Sequence, residues 1–131
     1  AQIVTLSNNA ASGFIKALGP MAHGVVVSQV FPFERSLASP LVKELQELLA
    51  TRRKGEEATP AMLEGFAAAK VLVEALKRAG KDPTPERIKS ALEGFKRVDI
   101  GGLEVSYSPS DHTGLDYSDL SIINAEGRFQ R

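Results

Sequence analysis

Ser110-Asp111-His112 places a nucleophile, an acid and a base in one run. Hydrolytic triads draw those residues from distant parts of a chain and set the nucleophile on a strained turn beside an oxyanion hole. Three consecutive loop residues cannot aim at one another in that way. Pro109 and Asp111 instead predict a turn whose carboxylate accepts local backbone N–H groups. His23 and His112 are the only histidines and cysteine is absent. No set of three or four metal ligands is therefore expected, and no disulfide. Gly101-Gly102 lacks the spacing and the strand-to-helix setting of a dinucleotide loop. It predicts a turn that passes close to another backbone. No catalytic residue, metal or cofactor is expected.

Binding chemistry has better candidates. Ser7-Asn8-Asn9 follows the β-prone run Ile3-Val4-Thr5-Leu6 and precedes a helical pattern. That places Ser7 and Asn8 at the C-terminal edge of a strand, where open α/β sheets hold small ligands and helix N-termini favour carboxylates. Plain helix capping is the simpler reading of the same cluster. Phe31 and Phe33 flank Pro32 where a second strand must end, offering either an aromatic wall to a ligand or core packing. Phe66 carries the same two readings.

The elements that would position these residues are legible in outline. Phe14, Ile15 and Leu18 share a helical face that Gly19-Pro20 terminates. Residues 24–30, with four valines, suit a buried parallel strand, and Pro32 ends it. The order so far is β-α-β, the unit of a doubly wound sheet. Ser39-Pro40, Thr59-Pro60 and Thr84-Pro85 are three helix-start signals. The first helix has its stripe at Leu41, Val42, Leu45, Leu48 and Leu49. The second runs Met62, Phe66, Ala69, Val73 and Leu76, widened by Leu63 and Leu72. Gly65 and the alanines at 67–69 make this helix thin enough to approach a neighbour closely. The third turns Ile88, Ala91, Leu92 and Phe95 inward. Alternating Leu103, Val105 and Tyr107 predict a half-buried strand. Residues 117–123 predict another, returning through a turn at 124–127.

Composition removes several function classes. With 131 residues and 43% hydrophobic side chains, the chain can bury a core. Sixteen basic residues balance sixteen acidic ones, and the one cationic run, Arg52-Arg53-Lys54, meets Glu56-Glu57 at once. No clustered basic field for nucleic acid is present. No apolar run approaches the roughly 20 residues of a membrane span. The chain opens at Ala1 without a leader pattern, which fits a processed chain, an engineered one or a proteolytic piece.

Leu63-Glu64-Gly65-Phe66-Ala67-Ala68-Ala69, then Thr84-Pro85, then the run from Gly101-Gly102-Leu103 to Asp111-His112 form an ordered set with the valine strand leading into Phe31-Pro32. This order resembles the C-terminal portion of type I periplasmic solute-binding proteins, in the leucine/isoleucine/valine-binding family of ABC importers. The likeness covers nearly the whole chain. It implies an α/β fold in which a parallel sheet flanked by helices is followed by C-terminal β strands. Residues 1–30 would supply a β-α-β segment of the second lobe and 31–100 a hinge and helices of the first. Residues 101–131 would cross back at Gly101-Gly102 and finish the strands. The implied function is non-catalytic capture of an amino-acid-like or organic or aromatic acid, delivered to an ABC permease from the periplasm or the extracellular membrane surface. A ligand-sensing or dimerising regulatory module of the same fold is the alternative. Ser7, Asn8, Phe31 and Phe66 would be the ligand-binding residues. In branched-chain amino-acid binders an acidic residue for the ligand ammonium aligns with Ser7, where this chain has no charge. Half-covered lobes would also favour a homodimer or a segment swap.

Overall fold

Three Pro-initiated helices form the helical half of the chain. The computed structural model describes residues 1–9 and 12–130. Helix α1 spans Ser12–Leu18, α2 Pro40–Arg52, α3 Pro60–Ala79 and α4 Pro85–Glu93. Proline suits the first helical turn because its missing N–H would have no partner there. Thr59 Oγ1 accepts from Met62 N at 3.2 Å and Thr84 Oγ1 from Arg87 N at 3.3 Å, capping α3 and α4. Ser39 makes no such side-chain cap on α2. The backbone of a distant turn does that work: Leu41 N donates to Gly101 O at 2.9 Å. Arg78 pairs with Glu74 one turn earlier, at 2.9 Å.

Strand β1 is Val4–Thr5 and β2 is Val26–Gln29. A hairpin of β3, Val98–Asp99, and β4, Glu104–Val105, stands apart from them. Strand β5, Asp119–Ile123, and β6, Phe129–Gln130, join the first two in a sheet of order β1-β2-β5-β6. β1 and β2 run parallel, with Val4 opposite Val26, whereas β2 and β5 run antiparallel, with Val27 opposite Ser121. The expected parallel strand is thus parallel on one side only. It is also buried on one face only. Val27 and Ile123 are buried in a cluster with Ile15 and Leu18 of α1, and Gln29 and Ser121 are buried on the same face. The opposite face presents Val4, Leu120 and Ile122 to solvent, 64%, 61% and 41% exposed.

The larger core lies in the helical half, where Leu41, Val42, Leu45, Leu63, Ala67, Ala75, Phe95, Ile100, Leu103 and Val105 are buried together. Three expectations change here. The buried line on α3 is Leu63, Ala67 and Ala75, while Met62, Leu72 and Val73 lie on exposed flanks. The apolar surface of α3 is wider than the surface this chain offers to cover it. A side chain at Gly65 would meet nothing within 4 Å, so the close neighbour predicted for that position is not part of these residues. Nor does the chain cross back to the sheet at Gly101-Gly102. Ile100, Leu103 and Val105 bury into the helical core, and Leu115 and Tyr117 still pack against it, so the return falls just before β5.

The β3–β4 turn depends on charge. Asp99 Oδ1 accepts from Gly101 N at 2.8 Å and Gly102 N at 2.6 Å. Those two bonds, aided by nearby Lys70, hold its carboxyl below the ordinary range. A depressed carboxylate binds protons less readily folded than unfolded, so its stabilisation is present above the unfolded value and is lost as pH falls through the folded one. Thermal melting is expected to weaken progressively between about pH 5 and pH 2. Asp99→Asn should flatten that slope while leaving the turn folded at neutral pH. An unchanged slope would show that the turn contributes nothing to it.

Candidate functional site

β1 and β2 end side by side because they are parallel neighbours, and each runs directly into a segment that turns outward. After β1, residues Ser7–Asn9 form a single 3₁₀ turn, closed by Asn9 N on Leu6 O at 3.0 Å. Asn9 Nδ2 also donates to Thr5 Oγ1 at 2.7 Å. Helix α1 starts later, at Ser12, and the junction at residues 10 and 11 lies outside the described residues. How the turn meets the helix that Ser7-Asn8-Asn9 was expected to open therefore falls on residues outside those described. After β2, Val30, Phe31 and Pro32 carry the chain toward the helical half, where Phe31 packs partly buried against the larger core.

The N-terminal turn of α3 meets these two strand ends. Ser7, Asn8, Gln29, Val30, Phe31 and Pro32 form one wall of a cavity of about 150 Å³, and Pro60, Ala61 and Glu64 form the other. The spacing of the helical residues follows from the 3.6-residue turn, which sets positions 60, 61 and 64 on one side. The same geometry carries Phe66 away, about 200° round the helix from Glu64. Phe66 packs against the larger core with Lys70 Nζ 5.7 Å from its ring centroid. It faces a different depression, beside Glu44 and Asp99. Ser7, Asn8 and Phe31 are brought together, and Phe66 is not.

Polar groups converge on an apolar floor. Gln29 is 3% exposed, and its Nε2 donates to Ser121 Oγ at 2.9 Å. Ser121 Oγ in turn donates to Val27 O at 3.4 Å. Glu64 is the one charged side chain among the lining residues. A sequence reading missed Gln29 and Glu64. A buried-side glutamine closing a valine run was the available signal for the first. Glu64 carried none, because its role depends on where α3 begins relative to β2.

A larger depression of about 690 Å³ lies between α3, α4 and Tyr107, lined by Val71, Ile88 and Leu92 with His112 at its edge. There His112 Nε2 meets Glu93 Oε1 at 3.1 Å, while Lys89 reaches the same oxygen at 3.4 Å. The triad reading of the neighbouring loop is excluded by geometry. Asp111 Oδ1 accepts from Thr113 N at 2.9 Å, and Ser110 Oγ sits 3.3 Å from Ser108 Oγ. The Thr113 backbone bond also holds the Asp111 carboxyl below its ordinary range. Among the described residues no cluster of metal-ligating side chains occurs, and no helix is long and apolar enough to cross a membrane.

A mixed sheet whose parallel strand ends face the start of a helix from a second core defines part of a two-core α/β binding fold. The chain belongs to the periplasmic binding protein family, whose sequence model matches residues 1–126. A possible leucine/isoleucine/valine-binding protein from Rhodopirellula baltica superposes with a TM-score of 0.87 at 26% identity, over 99% of this chain and 36% of that one. An extracellular ligand-binding receptor from Verminephrobacter eiseniae gives 0.83 at 26%, over 99% and 37%. A substrate-binding periplasmic protein from Ralstonia solanacearum gives 0.80 at 28%, over 98% and 37%. The chain thus spans little more than a third of the length of these structures. No curated protein matches it.

Proposed function

We propose that this chain is the C-terminal share of a two-lobed solute-binding protein that captures an amino-acid-like solute or a small organic acid without catalysis. Residues 1–30 and the returning strands β5 and β6 belong to one lobe. Residues 31–100 and the β3–β4 hairpin belong to the other. In the periplasm or at the outer face of the membrane, closure would present the loaded protein to an ABC permease. One observation carries the reading: the ends of two parallel strands and the start of a helix from the other core share a single cleft. Such edges are where open α/β sheets bind ligands. A cavity of about 150 Å³ is smaller than the roughly 300–1,000 Å³ of ordinary ligand sites. It suits one end of a ligand, with the relatives' further length available for the rest. That further length also accounts for the open sheet face and the open flank of α3 without a homodimer or a segment swap.

Ligand-induced thermal stabilisation of the complete translated protein tests the proposal. A captured solute at 100 times its Kd should stabilise by about 2.7 kcal/mol. Leucine, valine, phenylalanine and their deaminated acids form the first panel. Absence of any shift, together with turnover of an ester or amide, would end the capture reading.

A further inference from the structure

We infer that the buried Gln29–Ser121 pair is a register lock: it fixes how β5 sits along β2, and so where the chain leaves the sheet beside the cleft. The lock belongs to the frame of the cleft and holds whatever solute enters it. Gln29 and Ser121 are each 3% exposed. Gln29 Nε2 donates to Ser121 Oγ at 2.9 Å, and Ser121 Oγ donates to Val27 O at 3.4 Å. The two residues are 92 positions apart, so no tight turn sets β5 on β2. A turn does set β6 on β5, where Asn124 Oδ1 accepts from Glu126 N and Arg128 N.

Apolar alternation leaves the register open, because a slip of two residues returns the same side chains to the same face. In one direction, the slip would place Asn124 opposite Val26 and draw the 124–127 turn into the ladder, which its own bonds resist. In the other direction, Leu120 would face Val26 and Ser121 would face Val25. Gln29 and Ser121 would then stand about 13 Å apart along the strands. The amide would be buried among valines without its partner, which the native register avoids. A buried polar residue fixes the register of coiled coils by the same penalty.

The consequence falls on the cleft. Gln29 pairs with Asp119 in the last rung of the β2–β5 ladder. Beyond that rung, Val30 and Phe31 enter the cleft wall, while Leu115 and Tyr117 pack on the helical core. Both connections between the cores therefore leave the sheet from one rung. A two-residue slip would move the Asp119 end by about 7 Å and drag the second connection past the first. Ser121 stands outside the cleft lining and acts through the ladder, as a positioning residue.

Cysteine trapping in the complete translated protein tests the lock. Val26 faces Ile122 in the native register and would face Leu120 after the slip. In the parent background, Val26→Cys/Ile122→Cys should oxidise about tenfold or more faster than Val26→Cys/Leu120→Cys, since a disulfide needs Cα atoms within about 7 Å. Adding Gln29→Leu and Ser121→Ala together removes both polar partners and strands neither, so the fold should persist. The ratio should then fall below about threefold, as the slipped register becomes accessible. A ratio that stays above that value in the apolar-pair variant would overturn the inference, as would equal oxidation of the two cysteine pairs in the parent. Loss of cooperative urea unfolding in the apolar-pair variant would overturn it too, because the pair would then serve folding as a whole rather than register.

Discussion

Phe95→Ala is expected to lower stability by about 3–5 kcal/mol. Phe95 is fully buried and follows α4 directly. Its ring lies 5.9 Å from that of Tyr107, and the Arg78 guanidinium sits 4.6 Å from its centroid. Removing it deletes apolar area, an aromatic pair and a cation–π contact at once, and the surrounding helices cannot collapse into the space. Phe95 also anchors the hairpin, since Tyr107 N donates to Phe95 O at 3.1 Å. Domains of this size are stable by only about 5–15 kcal/mol, so the variant should unfold at far lower urea. A midpoint shift worth less than about 1 kcal/mol would show that the α3–α4 junction is not closed around this ring.

The second large effect comes from one added methyl group. Gly101→Ala should cost about 2–5 kcal/mol, combining backbone strain with overpacking. Gly101 has φ +117°, a region that side chains oppose. A Cβ there would stand 3.0 Å from both N and Cα of Leu41, which are backbone atoms and cannot swing aside. Relief would require the turn to lift from α2, and that would break the Leu41 N to Gly101 O bond that caps the helix. The loss should appear in urea unfolding as a lower midpoint with an unchanged slope. A variant as stable as the parent would mean that the turn does not rest on α2.

The close approach of Gly101-Gly102 to another backbone was legible from composition alone, though its partner was not. Pairs of glycines have few structural uses, whereas the choice of Leu41 depends on sixty residues of intervening path. Likewise, the three Pro-initiated helices and the turn at 124–127 follow from local chemistry. Asn124 Oδ1 accepts from Glu126 N and Arg128 N, as an Asn-led turn should. The stripe on α3 was misread for a physical reason. Periodicity reports every apolar face a helix owns, including the flank of Met62 and Val73 that nothing in this chain covers.

Ser7, Asn8 and Phe31 line one cleft, and the strand ends that place them there are recognisable from the residues that break them. Phe66 lines a different depression, and only the helical phase relative to β2 separates it from Glu64. By itself, the amino-acid sequence determined the element order, the helix starts, the neutral charge balance and the absence of cysteine, all of which depend on residues close in the chain or on composition. Tertiary structure alone decided which helical face meets the strand ends, and that Gln29 and Glu64 border the cleft between them. Those outcomes turn on contacts between residues tens of positions apart, whose relative rotation no local pattern encodes.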